Sequence, residues 1–408
     1  MKRSLIYTGI IFISIAINLF AQNKKADEYL EKGHQKRMNR DFKGAIEDFN
    51  KLIKINPNNA KAYYYRGEAE NFLNKYNSAI QDYSKAIKIN PHYGDAYISR
   101  GSSRETLNDF TGAMQDYNKA IEVDPNNFLA FQTRGESKYL HSDYVGAIQD
   151  FTKELEIVPD QGLPYSLRGS AKNILKDYQG AIQDYNKSLQ LNPNDFLDYD
   201  DRASVKYNLE DYNGAIQDFS KVIEFNPSYY NYTHRGKAKV KNKDYQGAMQ
   251  DFNKALEINS HYADAFFNRG ITKNELFDYR GAIIDFNKTI AENPSFAQAF
   301  YYSGIAKYEL KEYNGAIQDY NKAIEVDSNY SDAYQSRALV LEKNNDYKGA
   351  ILDFNKAIII NPNFTIAYLN RGNTKLILND KNGACLDWSR AGELGSAEAY
   401  DLIKQYCK

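Results

Sequence analysis

Residues 211–219 read DYNGAIQDF, and the phrase returns as DYVGAIQDF from Asp143, DYQGAMQDF from Asp244 and EYNGAIQDY from Glu312. Its alanine falls at Ala45, Ala79, Ala113, Ala147, Ala181, Ala215, Ala248, Ala282, Ala316, Ala350 and Ala384. Every step is 34 residues except the 33 between Ala215 and Ala248. A fixed period of this length describes stacked units, each too small to cover its own apolar face. Eleven units are expected between residues 26 and 398, at about 26–59, 60–93, 94–127, 128–161, 162–195, 196–228, 229–262, 263–296, 297–330, 331–364 and 365–398.

Each unit carries two helical stretches. Tyr212, Ala215, Ile216, Phe219, Val222 and Ile223 recur at three- and four-residue steps, which is one face of a helix. Asp211 stands before it as an N-cap, and Asn226-Pro227 ends it, because proline disfavours helix in the residue it follows. The other helix is read in AYYYRGEAENFL, where Tyr63, Gly67 and Leu73 share a side. Small residues form a column through Gly33, Gly67, Gly101, Gly135 and Gly169, continuing at Ala203, Gly236, Gly270, Gly304, Ala338 and Gly372. They are expected to face the alanine column and let two helix backbones approach, with aromatic side chains filling the gaps between helices.

The order aromatic, Gly, Ala, aromatic, Pro, met in the fifth unit at Tyr165, Gly169, Ala181, Tyr185 and Pro193, resembles the tetratricopeptide repeat over the chain from residue 26 onward. Departures are an arginine before the glycine (Arg66, Arg100, Arg134), Lys138 or Lys172 where tyrosine is common, and Ser260 and Ser328 in place of proline. The resemblance implies an all-α protein: a right-handed α-α superhelix, or solenoid, of tandem helical hairpins closed by a C-terminal capping helix that ends in residues 399–408. It also implies a concave groove lined by the first helices, which takes a peptide or a partner segment. Positions matching that surface are Tyr64, Tyr65, Gln132, Tyr139, Asp200, Asp201, Tyr207, His234, Asn268, Tyr301, Tyr302 and Tyr308. Their identity changes from unit to unit, as specificity would require; the alternative reading is a set of solvated helix faces. The Lys, Asn, Asn, Lys, Arg set with which co-chaperone members hold a C-terminal carboxylate is not assembled in any three-unit window.

Charged columns run through the same period. An aspartate recurs in all eleven units, from Asp48 and Asp82 to Asp387, and an arginine in nine, including Arg66, Arg100, Arg134, Arg168 and Arg202. Carboxylates one layer apart are too distant to share a metal ion, so the expected arrangement is a ladder of Arg–Asp pairs between first and second helices. The five histidines, His34, His92, His141, His234 and His261, show no metal-ligand spacing. Nucleophile-elbow, phosphate-loop and dinucleotide signatures are lacking. No enzyme, metal or cofactor is expected, and leader, repeats and tail are expected to use up the chain without a catalytic domain. With 52 basic and 53 acidic residues there is no basic field for nucleic acid.

The first 21 residues, MKRSLIYTGIIFISIAINLFA, have a basic start, an apolar run and a small final residue, the three parts of a secretory signal peptide. Cleavage is expected after Ala21, leaving residues 22–25 ahead of the first unit; retention as an N-terminal membrane anchor is the other reading. An exported, periplasmic or secreted protein follows. Cys385 and Cys407 flank Gly395-Ser396. If the chain turns back there, the two thiols meet across an antiparallel helix pair, and export makes that meeting a disulfide that staples the cap. The alternative is two small buried apolar side chains. The expected function is a protein-interaction scaffold of a bacterial cell envelope with a protein or peptide partner. A glycan or cell-wall binding module and an RNA-binding helical repeat are the competing classes. NDFLDYDDR, from Asn194, favours a basic partner segment, and the 33-residue step predicts a tightened turn and a bend or soft joint near Tyr229.

Overall fold

The three- and four-residue apolar spacing is realised as helix throughout. The computed structural model describes residues 2–407, with side chains from Phe20 to Cys407, so the side chains of the expected leader up to Leu19 lie outside what is described. Among the described residues there are 23 helices and no strand. Helix α1 (Lys2–Met38) pairs with α2 (Phe42–Ile55), α3 (Ala60–Phe72) with α4 (Tyr76–Ile89), α5 (Gly94–Thr106) with α6 (Phe110–Val123), and the alternation continues to the C-terminus. The protein is an all-α solenoid of helical hairpins. By contact it separates into two compact bodies, Met1–Asp198 and Tyr199–Lys408, with the division inside α11 (Phe196–Asn208).

Nine hairpins are closed by the same aspartate cap, whereas Lys75 and Glu312 stand at that position without a side-chain cap. The carboxylate of Asp41 accepts the Gly44 amide at 3.0 Å, and Asp109, Asp143, Asp177 and Asp211 repeat the cap on their own second helices. The residue before each cap position turns through the left-handed region: Asn74 has φ 59°, Asn108 64° and Lys176 63°. Between units the connection is four residues, as in 90–93, but only 226–228 between α12 (Tyr212–Phe225) and α13 (Tyr229–Lys241). The missing residue is therefore taken from the turn, which Ser228 caps onto the Asn231 amide while Asn231 Nδ2 donates to the Asn226 carbonyl.

The glycine column has a different principal neighbour from the one expected. A Cβ placed on Gly67 would lie 2.8 Å from the Tyr83 ring and 3.3 Å from the Ala79 carbonyl oxygen. At Gly33 and Gly101 the obstruction is the Phe49 or Tyr117 ring, in both cases at 2.6 Å. The glycine thus seats an aromatic ring four residues beyond the alanine, and these rings are wholly buried. Most of the tyrosine and phenylalanine in this column is core.

The arginine column does more than pair with aspartate. Arg134 donates through Nε and Nη2 to both oxygens of Asp150 (2.9 and 2.5 Å) and through Nη1 to Asn118 Oδ1 of the preceding second helix at 2.6 Å. Its guanidinium also stands 5.7 Å from the Phe131 ring. One side chain therefore fixes its own helix against two second helices. The pattern recurs with Asn50, Ser84, Thr152, Asn253, Asn321 or Asn355 as the backward acceptor, sixteen residues before the arginine. After the shortened turn, Arg235 reaches Ser220 only fifteen residues back.

The lysine that departs from the repeat pattern is the aspartate's second cation. Lys138, Lys172, Lys206, Lys239, Lys273 and Lys375 each bind Oδ2 of the same buried carboxylate, the oxygen that also accepts the arginine Nε, within 2.8 Å. Where arginine is absent, Ser303 donates to Asp319 beside Lys307. Glu70 and Leu341 replace the lysine in two units, and there hydrogen bonding to Asp82 or Asp353 raises the Arg66 and Arg337 guanidinium above its ordinary range. Removing one partner of a buried pair costs about 3–5 kcal/mol when the remaining charge is left alone. Arg337→Ala strands Asp353, whereas Arg134→Ala leaves Asp150 with Lys138. Urea unfolding should therefore show a larger loss for Arg337→Ala, by roughly 1–2 kcal/mol; equal losses would contradict the ladder.

Candidate functional site

The first helices form one continuous inner surface within each body, because neighbouring first helices also touch each other. Ser103 donates across that surface to Asn71, Ser137 to Glu105, and Thr374 to Glu342, each 32 residues apart. The hydroxyl or carboxyl groups at these crossings set the register of adjacent first helices. Clefts on this surface are lined by side chains two residues before and one, four and five residues after the small-residue column.

All twelve groove positions expected from the sequence lie on first helices and are half-buried. Tyr64 and Tyr65 sit on α3, Gln132 and Tyr139 on α7 (Phe128–Leu140), Asp200, Asp201 and Tyr207 on α11, and His234 on α13. Asn268 lies on α15 (Ala263–Glu275), and Tyr301, Tyr302 and Tyr308 on α17 (Ala297–Glu309). Several are committed to their own chain. Tyr139, Tyr207 and Tyr308 contact the tyrosine that opens their own second helix, with ring centroids 5.5, 5.5 and 5.7 Å apart. Asn268 turns its amide back onto Asp264. Gln132 donates to Glu136, one turn on.

Two aromatic groups do gather at the surface. In the first body Tyr64 stands 5.3 Å from Tyr65 and 4.9 Å from Tyr93, and Glu68 accepts the Tyr64 hydroxyl. Next to them a cleft is lined by Glu68, Asn71, Phe72, Ile98, Ser99 and Leu129. Burial chiefly, then nearby carboxylates, raises the Tyr64 phenol and the Glu68 carboxyl above their ordinary ranges, Arg37 at 3.3 Å partly offsetting the latter. In the second body Tyr301, Tyr302, Phe267 and Phe296 form a connected set at 4.7–5.7 Å. His234 packs 4.1 Å from Tyr230, and burial, with Lys237 adding to it, lowers its imidazole to about 4. It is therefore neutral at pH 7 and serves as an aromatic wall.

Glu68, Asn71, Ile98, Ile271 and Ile305 line clefts without having been expected there. The signal for them was their offset from the small-residue column rather than their residue type. His34 and His92 join no cluster with other metal-binding side chains; among the described residues no three His, Cys, Asp or Glu side chains could hold a metal ion. No helix of the described residues is long and apolar enough to cross a membrane.

The C-terminus is closed by chemistry of its own. Helix α22 (Lys381–Glu393) turns at Gly395 (φ 95°) into α23 (Ala397–Tyr406), and Cys385 and Cys407 are joined in a disulfide with their Cα atoms 5.8 Å apart. Leu402, Ile403 and Tyr406 pack with Trp388 beneath it.

One buried acid stands apart from every network. Glu154 on α8 (Tyr144–Ile157) is wholly buried, and neither of its carboxyl oxygens has a hydrogen-bond partner. It occupies the place of Ala86 and Ala120, which pack against Ala96 and Ala130 of the following helix. Burial, with Glu136 on α7 adding to it, pushes its carboxyl up to about 7.

These hairpins match known repeats directly. Tetratricopeptide-repeat matches cover residues 60–93, 94–127, 164–195, 199–229, 229–262 and 331–364, and the description "TPR repeat" covers 39–70 and 304–345. Together they span more than half of the chain, which belongs to the tetratricopeptide repeat family. No curated protein matches it. Among solved structures it is similar to MamA (26% identity, 41% of this chain and 92% of that one, TM-score 0.39). A tetratricopeptide repeat protein from Parabacteroides merdae shares 22% identity over 62% of this chain and all of its own, with a TM-score of 0.43. Yeast Tom70 shares 16% over 93% and 94%, with a TM-score of 0.45.

The isolated acid gives a pH test. An acid whose native value lies above the unfolded one binds its proton more tightly when folded, so stability falls as pH rises from about 4.5 toward about 7. Glu154→Gln should match the native protein near pH 4.5 and exceed it at pH 8 by up to ~3 kcal/mol. A gap independent of pH in urea titrations would show that Glu154 is paired.

Proposed function

We propose that this protein is an interaction scaffold of a bacterial cell envelope, exported by its leader, and that its first helices hold a segment of a partner protein. The observation that carries this is the division of labour within each hairpin. Glycine, alanine, the aromatic ring and the Arg–Asp–Lys set recur because packing demands them, whereas the residues facing the inner surface change from Tyr64–Tyr65 to Ser99, Thr133, His234 and Asn268 without cost to that packing. A surface released from the folding constraint is free to be specific. Membership of a family of protein-binding repeats supports a protein partner. Against a glycan module, many of the tyrosines that would stack on sugar are already in contact with rings of their own chain.

A photo-crosslinking residue at Tyr65, Ser99 or Thr133 should yield partner adducts in intact cells, and one at the exposed second-helix positions Gln81, Gln115 or Gln149 should not. Adducts only from the second helices would move the binding surface to the outer face. Export supplies the oxidising surroundings that a disulfide requires. Closing a loop of 22 residues by a disulfide is worth about 3 kcal/mol. Cys385→Ser together with Cys407→Ser should lower urea stability by about 2–4 kcal/mol. Protein recovered from the periplasm should contain no free thiol, and two reactive thiols would argue against both the bond and the compartment.

A further inference from the structure

The junction of α15, α16 (Tyr279–Glu292) and α17 breaks the internal pattern at three neighbouring places. The last residue of the first helix is Met38, Phe72, Thr106, Leu140, Ile174, Asn208, Lys241, Lys343 or Ile377 in nine repeats, and an acid only at Glu275 and Glu309. These two lie in adjacent repeats. A carboxylate at a helix C-terminus opposes the helix dipole, so both positions carry a local cost. Neither is in an ion pair with a described residue, and the nearby Lys273 and Lys307 are bound to Asp285 and Asp319.

Phe277 lies between them. The corresponding left-handed residue in the other ten turns is Arg, Asn, Ser, Lys or Glu; here it is a phenylalanine at φ 60° that remains 77% exposed. Together with Tyr279, Ile271, Tyr302 and Ile305 it forms an apolar cleft whose lip is Glu275 and Glu309. Asn274, in the wall of the same cleft, has both side-chain polar atoms without a hydrogen-bond partner.

We propose that this cleft receives a lysine or arginine side chain flanked by apolar residues, carried by the partner segment. The aliphatic stem lies along Ile271 and Ile305, the cationic head meets Glu275 and Glu309, and the Phe277 and Tyr279 rings flank it. An anionic side chain is excluded by the two carboxylates and the helix C-termini behind them. The proposal rests on the reading that the inner surface binds a protein segment.

The test is selection of a phage-displayed library of random twelve-residue peptides on the full chain and on the double variant Glu275→Gln/Glu309→Gln. The native protein should enrich peptides with a basic residue between apolar ones, and the double variant should lose that enrichment. A fluorescein-labelled peptide of the enriched sequence should bind the double variant at least about tenfold more weakly, while the thermal midpoint stays the same or rises because two unfavourable helix-end charges are gone. Phe277→Asn should weaken the same peptide while raising the midpoint, since asparagine tolerates the left-handed backbone. Enrichment of neutral or acidic sequences, or equal binding by native and variant proteins, overturns the basic-side-chain site and leaves the inner-surface reading standing. No enrichment on the native protein overturns both.

Discussion

The structure depends on an arginine that cannot be satisfied by one helix. Its planar fork matches both oxygens of the aspartate on its own second helix, and the remaining nitrogen reaches the amide or hydroxyl of the second helix before it. Most repeats that carry it are thereby fixed internally and to their predecessor by one charged group. Burying that charge is tolerable because the aspartate is also bound by a lysine in most repeats and the guanidinium lies over an aromatic ring. Helices of 13 or 14 residues would be marginal in isolation; here each is held on two sides.

Around this polar joint the apolar packing is uniform. The small residue of the first helix admits the ring of the second, closely enough that a Cβ would crowd the ring at most of the glycines, although Ala203 and Ala338 fit one. The exceptions therefore stand out against the other copies. Glu154 occupies a place that elsewhere holds a small or apolar side chain, and Phe277 occupies one that the other turns give to polar residues. Such departures are where a repeat protein can differ from its own average, and they supply the chain with its individual chemistry.

Part of the groove expected from the sequence is structural. Tyrosines at the fourth position after the small-residue column are drawn onto the tyrosine that starts the next helix, so the residue type that suggests recognition is used to close the hairpin. The binding surface is carried instead by the residues between such pairs, among them Glu68, Ile98, Glu275 and Ile305. Variation between repeats was visible in the letters. Which variable side chain is already in contact with its own chain was not.

The sequence by itself determined the repeat, the helical hairpin, the Arg–Asp pairing and the turn that loses a residue, because these follow from a period written eleven times and from local caps and breakers. Tertiary structure alone decided that lysine is the aspartate's second cation, that glycine seats a ring rather than an alanine, and that Asn274, Phe277, Glu275 and Glu309 share one cleft. The reason is distance. Local pattern fixes what a residue does within one or two helical turns, while the contacts that make a site join residues 16 to 34 positions apart, whose meeting depends on how neighbouring helices are rotated about their axes.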